Sequence, residues 1–225
     1  MSRILVLLFA VFVPLCIQAQ KNFEGLIKYD IKYPESIPGM ESMLPKSTET
    51  IVSQKRGLTR MQGGLQADML GDVLTDYSNG KVHFILHSSK VIYSTTEEKM
   101  PKQDEVKPTI KKGKGKMRIM GYDCVPYTVE IKVNDMVVNS TFWTTTQFEP
   151  ARQPNTVGMS TPNVKVEGFP MKIETSVPIP GMGSFKMEMT VTQLKELKEL
   201  PNNVLSLPAG YTQKEGLPPV FQMGN

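Results

Sequence analysis

An all-β fold with minor helix is what this 225-residue sequence predicts, on three observations. Apolar and polar residues alternate with a period of two over several segments, as in a strand that buries one face. Turn-forming residues separate those segments at short, regular intervals. Helical periodicity is scarce. About ten short strands joined in this way build one sandwich or barrel, and neither an internal repeat nor a domain-sized linker divides them.

The elements follow in chain order. Arg3, the apolar run 4–17 and the site Ile17-Gln18-Ala19 make residues 1–19 a secretory signal peptide, cleaved before Gln20. The run is short for a membrane span. Cys16 offers the alternative of an outer-membrane lipoprotein anchor, although Leu15 stands where a lipobox wants a small residue. Residues 20–211 form the β domain. In 23–33, Phe23, Gly25, Ile27, Tyr29, Ile31 and Tyr33 share one face and charged residues take most of the other, so the sheet is wet on one side. Residues 34–45 are a Pro/Gly/Met loop. Strands are expected at 48–54 and 58–62, and 63–70 hold at most one helical turn. A meander follows at 72–77, 81–87 and 90–95, turned by Ser78-Asn79-Gly80 and Ser88-Ser89.

After a charged loop at 96–104, residues 111–118 lead into a long hairpin at 121–145. There Val125, Tyr127, Val129, Ile131 and Val133 alternate with polar residues, and Asn134-Asp135 makes a two-residue turn. That turn sets Tyr127 opposite Phe142 on one face and puts Trp143 on the other, beside Pro126. Residues 147–163, with three prolines, form a long loop of the kind that often serves as a lid. Strands resume at 165–168, 171–177 and 184–194, the last running on until it frays at Pro201. Residues 205–211 close the fold, and 212–225 are a loose tail.

A formal net charge of +4 is too small to imply a nucleic-acid partner. With Cys16 in the leader, Cys124 is the one cysteine of the domain, so no intrachain disulfide is expected. It sits in a strand with no histidine near it in sequence and reads as a buried, inert thiol. His83 and His87, the two histidines, are four residues apart on a strand. That places them roughly 13 Å apart, on one solvent-facing side, too far to hold one ion.

The 15 methionines include an M-x-M pair, Met187 and Met189, and two M-x-x-M pairs, Met40 with Met43 and Met117 with Met120. Thioethers bind Cu(I), which makes copper a minor alternative, but methionine more often fills irregular apolar walls. If 111–118 is extended, Lys112, Lys114, Lys116 and Arg118 share one face. They suit contact with an anionic surface, or simply the charged blunting of an edge strand. No paired carboxylates, Gly-rich phosphate loop, nucleophile motif or zinc spacing stands out, so no enzyme, cofactor or metal site is expected.

Several pieces of the chain, taken in order, resemble a family. They are the opening FEGLIKYDIKY from Phe23, the G-Y-x-C strand (Gly121, Tyr122, Cys124), the Phe142-Trp143 strand and the closing L-P-x-G-Y (Leu207, Pro208, Gly210, Tyr211), behind a leader ending Gln18-Ala19-Gln20. This order is similar to that of the exported Gram-negative proteins grouped as domain of unknown function 4412, typical of Bacteroidota and placed with the lipoprotein carriers LolA and LolB. The resemblance implies a single half-open antiparallel barrel, LolA-like, wrapped round a concave apolar surface with a short helix or loop as lid. Such folds bind acyl chains or other hydrophobic cargo.

The function expected is therefore that of a non-enzymatic envelope protein, periplasmic or secreted. It takes a hydrophobic or lipid-like ligand against Tyr127, Phe142, Trp143, Met187 and Met189. The alternative is a structural or interaction domain, solid inside, that meets protein or membrane through its sheet edge and basic run.

Overall fold

The computed structural model describes residues 22–35, 39–100, 107–133, 136–152, 164, 166–179 and 183–221. The leader with Cys16, the Asn134-Asp135 turn and most of the 147–163 loop lie outside them. Among the described residues there are thirteen strands: β1 (Gly25–Glu35), β2 (Ser47–Val52), β3 (Arg56–Gln62), β4 (Asp72–Asp76), β5 (Lys81–Leu86), β6 (Val91–Thr96), β7 (Thr109–Lys112), β8 (Met117–Ile119), β9 (Tyr122–Val133), β10 (Met136–Thr145), β11 (Phe169–Ile179), β12 (Gly183–Glu196) and β13 (Thr212–Glu215). One short helix, α1 (Gly64–Leu70), joins β3 to β4.

The strands form a single sheet in the order β13-β6-β5-β4-β3-β2-β1-β12-β11-β10-β9-β7, with β8 also on β9. Every pair is antiparallel except β13 on β6. The terminal strands β13 and β7 do not pair, so the sheet is not closed. The all-β expectation holds, with thirteen strands among the described residues where about ten were expected, and two segments add strands that the pattern does not announce. One expected strand, 111–118, is broken into β7 and β8. The expected loose tail, 212–225, instead contributes β13 along the edge of β6.

Strand β1 is the seam between two halves. Its alternate residues Ile27, Tyr29 and Ile31 face one side, called inner here, and Leu26 faces the other. Gly25 opens β1 because nothing larger fits: a Cβ there would stand 2.0 Å from the Lys195 carbonyl oxygen on β12 and 2.8 Å from the Phe23 ring. In the β2–β6 half both faces are covered. Leu26, Ile51, Leu58, Leu74, Ile85 and Ile92 pack beneath Leu197, Leu200, Val204, Leu205 and Tyr211. On the inner side Val73, Val82 and Phe84 meet Met100, Leu217 and Phe221, with the Phe84 and Phe221 rings 5.0 Å apart. Full burial of each such side chain is worth about 1.5–3 kcal/mol.

That double cover explains two departures from the expected elements. The last long strand does not run on to Pro201. It ends at Glu196, where a short 3-10 turn, Leu197–Glu199, closed by the Glu196 and Glu199 side chains, swings the chain over the sheet as a strap. The strap is then pinned. His87 Nε2 lies 3.0 Å from Asp72 Oδ2, its Nδ1 lies 2.9 Å from the Tyr211 hydroxyl, and Arg60 Nε donates to the same Asp72 oxygen at 2.8 Å. His83 lies elsewhere on β5, half-buried, with Nδ1 2.8 Å from Ser94 Oγ. His87 thus faces solvent as expected, 53% exposed beside its partners, whereas His83 is half-buried. A third departure is at 165–168, where Glu167 and Gly168 form a bend rather than a strand.

Candidate functional site

Beyond β1 the sheet behaves differently. The inner face of β12, β11, β10 and β9 is apolar and the outer face is charged, as the alternation of one-side-wet strands requires. The hairpin β9–β10 has the expected register, with Tyr127 opposite Phe142, Ile131 opposite Val138 and Pro126 opposite Trp143. The next ladders extend this register into rows. Phe142 faces Ile173 on β11, Ile173 faces Met189 on β12, and Met189 faces Ile31 on β1. Tyr127, Phe142, Ile173, Met189 and Ile31 thus form one row across five strands, about 19 Å wide at the usual strand spacing. All five are buried.

A second row, Val129, Ser140, Thr175 and Met187, lies nearer the hairpin tips. The Ser140 and Thr175 hydroxyls satisfy each other at 3.0 Å. Beyond it Ile131 faces Val138, Val177 faces Phe185, and the Phe185 ring stacks 5.5 Å from Tyr33. Here burial is incomplete: Met136, Val138, Thr175, Val177, Phe185, Met187 and Tyr33 are all only partly buried. The wall is therefore sealed at one end and open at the other.

The sealed end carries an aromatic plug. Phe148 touches Phe23, Tyr122 and Phe169, with centroids 4.9, 5.7 and 5.0 Å away. The Tyr29 hydroxyl donates to the Pro170 carbonyl at 2.8 Å, and burial pushes that phenol's pKa up. A cleft of about 250 Å³ opens beside the plug among Thr146, Phe148, Pro150, Val166 and Phe169. It falls below the size usual for small-molecule sites.

The sequence-derived residues divide accordingly. Tyr127, Phe142 and Met189 share the first row, and Met187 stands beside them in the second. Trp143 does not join them. One residue on from Phe142 in a strand, it points to the opposite face, where its Nε1 donates to Glu174 at 3.2 Å. There it borders a charged ladder in which Lys172, 16% exposed, lies 2.6 Å from Glu174 and 3.3 Å from Glu188. Burial opposes the Lys172 charge, but the hydrogen bonds to both carboxylates outweigh it and raise its pKa.

The four cations expected on one face are also separated. Between Lys112, opposite Tyr127, and Met117, opposite Cys124, this edge takes five steps while β9 takes three. The two extra residues bulge at 113–116, where Gly113 N–H donates to the Pro126 carbonyl at 2.8 Å and Gly115 has φ 115°. Lys112 therefore turns to the inner side. It lies over the Tyr127 ring, 5.4 Å from its centroid, and reaches Glu167 at 3.4 Å. Tyr127 donates to the same carboxylate at 2.6 Å. That hydrogen bond first, and the Lys112 ammonium second, hold the Glu167 pKa low. Lys114 and Lys116 stay exposed, and Arg118 lies 3.7 Å from Asp123.

Sequence reasoning missed Tyr33, Val138, Val177 and Phe185 at the open end. The alternation of Phe185 with Met187 was a usable signal, but the rows depend on ladders between distant strands. Cys124 is fully buried, and burial pushes its thiol pKa up. Among the described residues no three His, Cys, Asp or Glu side chains gather in a way that could hold a metal ion, and no helix is long and apolar enough to cross a membrane. No curated protein matches the chain. The family model described as Domain of unknown function (DUF4412) matches residues 23–211, from the ring contact at Phe23 to the pinned Tyr211, and the chain belongs to that family.

Proposed function

We propose that this is a non-enzymatic exported envelope protein that takes a hydrophobic or lipid-like ligand against the inner wall of β9–β12 and β1, in the manner of a half-open, LolA-like barrel. The observation that carries this reading is the gradient of burial along the wall. The Tyr127–Phe142–Met189 row is closed, while Met187, Phe185, Val177, Val138 and Tyr33 leave contiguous apolar surface partly exposed. Methionine side chains adapt to cargo of varied shape, and polar atoms of the wall are paired, Ser140 Oγ with Thr175 Oγ1 and the Tyr127 hydroxyl with Glu167. Export rests on the leader at residues 1–19, with lipidation at Cys16 as the alternative. A second reading, an interaction domain at the envelope surface, draws on the exposed cations of the β7–β8 edge.

The test is binding of a fluorescent fatty acid to the purified chain. Met187→Glu and Val138→Glu, which place charge at the open end, are expected to weaken binding at least about tenfold, as loss of one buried apolar side chain implies. Trp143→Phe on the opposite face should leave it unchanged. Unaltered affinity in both glutamate variants would sink the reading.

A further inference from the structure

The hairpin between β8 and β9 breaks a local rule. Its two-residue turn, Met120-Gly121, has φ of 50° and 85°, the left-handed pair that favours Asn-Gly or Gly-Gly. Methionine is a poor choice for such a position, and about half of it is left in solvent, at 47% exposure. A residue that suits neither turn geometry nor core is a pointer to function. Exposed cations line this edge, with Arg118 at the turn itself and Lys114 and Lys116 before the far end of β8. Arg118, 75% exposed, holds the turn through Nε to the Gly121 carbonyl at 3.1 Å, while Lys114 and Lys116 have no carboxylate partner among the described residues. Among the described residues, the acidic groups beside this edge include Asp123, facing Arg118, and Glu167, exposed but bonded to Tyr127 and Lys112. Phe23, where the described chain enters the sheet, sits at this same end, two ring contacts from Tyr122 through Phe148.

We propose that the β8–β9 hairpin docks the protein on an anionic lipid bilayer, with Met120 entering the interfacial layer and Lys114, Lys116 and Arg118 meeting the headgroup phosphates. One apolar tip with cations set back along the same edge matches how peripheral proteins combine insertion with headgroup attraction. It does not match a protein partner, for which a stable interface needs on the order of 1,000 Å² of complementary surface. A three-residue strand and its turn offer far less. The proposal is independent of ligand entry, since the open end of the wall lies at the opposite end of β9.

The experiment is co-sedimentation of the full chain with phosphatidylcholine vesicles, with and without phosphatidylglycerol, at low and high salt. Binding is expected only with the anionic lipid and is expected to fall as salt rises. Lys114→Gln with Lys116→Gln should weaken it about 25-fold, at roughly fivefold per charge. Met120→Asn, a better residue for the turn, should weaken it at least about fivefold without lowering the melting temperature. Lys214→Glu, on β13 at the other edge of the sheet, should do nothing. No binding, equal binding to neutral vesicles, or full binding by Met120→Asn and by the double glutamine variant would each overturn the proposal.

Discussion

At His83, burial acts first and the charge of Lys81 second to hold the imidazole below its ordinary pKa of 6.5. The unfolded chain therefore binds the proton more readily than the folded one, and stability rises with pH across that interval. The contribution is full above 6.5 and is lost as pH falls through the lower folded value. His83→Gln should flatten this part of the profile. In urea titrations at pH 7.5 and 5.5 the wild type is expected to lose more stability on acidification than the variant does, and equal losses would show that the ring is no more buried than in the unfolded chain. The residue was visible in the sequence, but its surroundings were not, because they depend on neighbours from β6. The same contrast separates Tyr127 from His87. Alternation along 125–133 and 136–145, with two residues between them in the sequence, sets Tyr127 against Phe142, so local pattern suffices. His87 is held by Asp72 and by Tyr211, the latter 124 residues away, and no local signal announces such a pair.

Among elements, the strap that leaves β12 at Glu196 is the one whose attachment is most exposed to substitution. Its leucines cover the β2–β6 face, Arg56 Nη1 donates to the Leu205 carbonyl at 3.0 Å, and near its end the Tyr211 hydroxyl meets His87. Tyr211→Phe keeps the ring and removes the hydroxyl. It should cost about 1 kcal/mol, the net worth of one hydrogen bond, seen as a lower urea midpoint with an unchanged m value. A loss below the error of the measurement would mean that the leucine packing, the Arg56 contact and the β13 ladder hold the strap without that hydroxyl. Elements were legible where one face is buried and one is wet, as in β1, β9 and β12. They were illegible where that condition fails. β13, with the sequence Thr-Gln-Lys-Glu, is exposed along its whole length and is held by its ladder to β6, so it carries no hydrophobic period to detect. The 111–118 segment alternates well enough to pass for one strand, yet Gly113 and Gly115 let the edge gain two residues and divide it. In the site, this fault separated Lys112 from the other cations, much as strand alternation separated Trp143 from Phe142.

For the molecule as a whole, class could be read from local alternation, whereas strand order could not, because it is set by which distant edges pair. The decisive pairing is β1 with β12, whose contacts include Glu35 with Lys186, 151 residues apart. Loop closure on this scale makes β folding slow. It also introduces a matter of timing. A ribosome releases β1 early and β12 late, and until β12 arrives Ile27, Tyr29 and Ile31 are flanked by β2 alone. During that interval β1 is a bare edge that any extended segment could join. A chain ending at residue 179 is expected to scatter light on refolding. A synthetic peptide of the β12 sequence, Gly183–Glu196, should suppress the scattering, and the same peptide carrying Met189→Lys should not. If both peptides are equally inert, β1 does not wait for β12. If only the native one works, the last long strand to be made completes the sheet around one of the first.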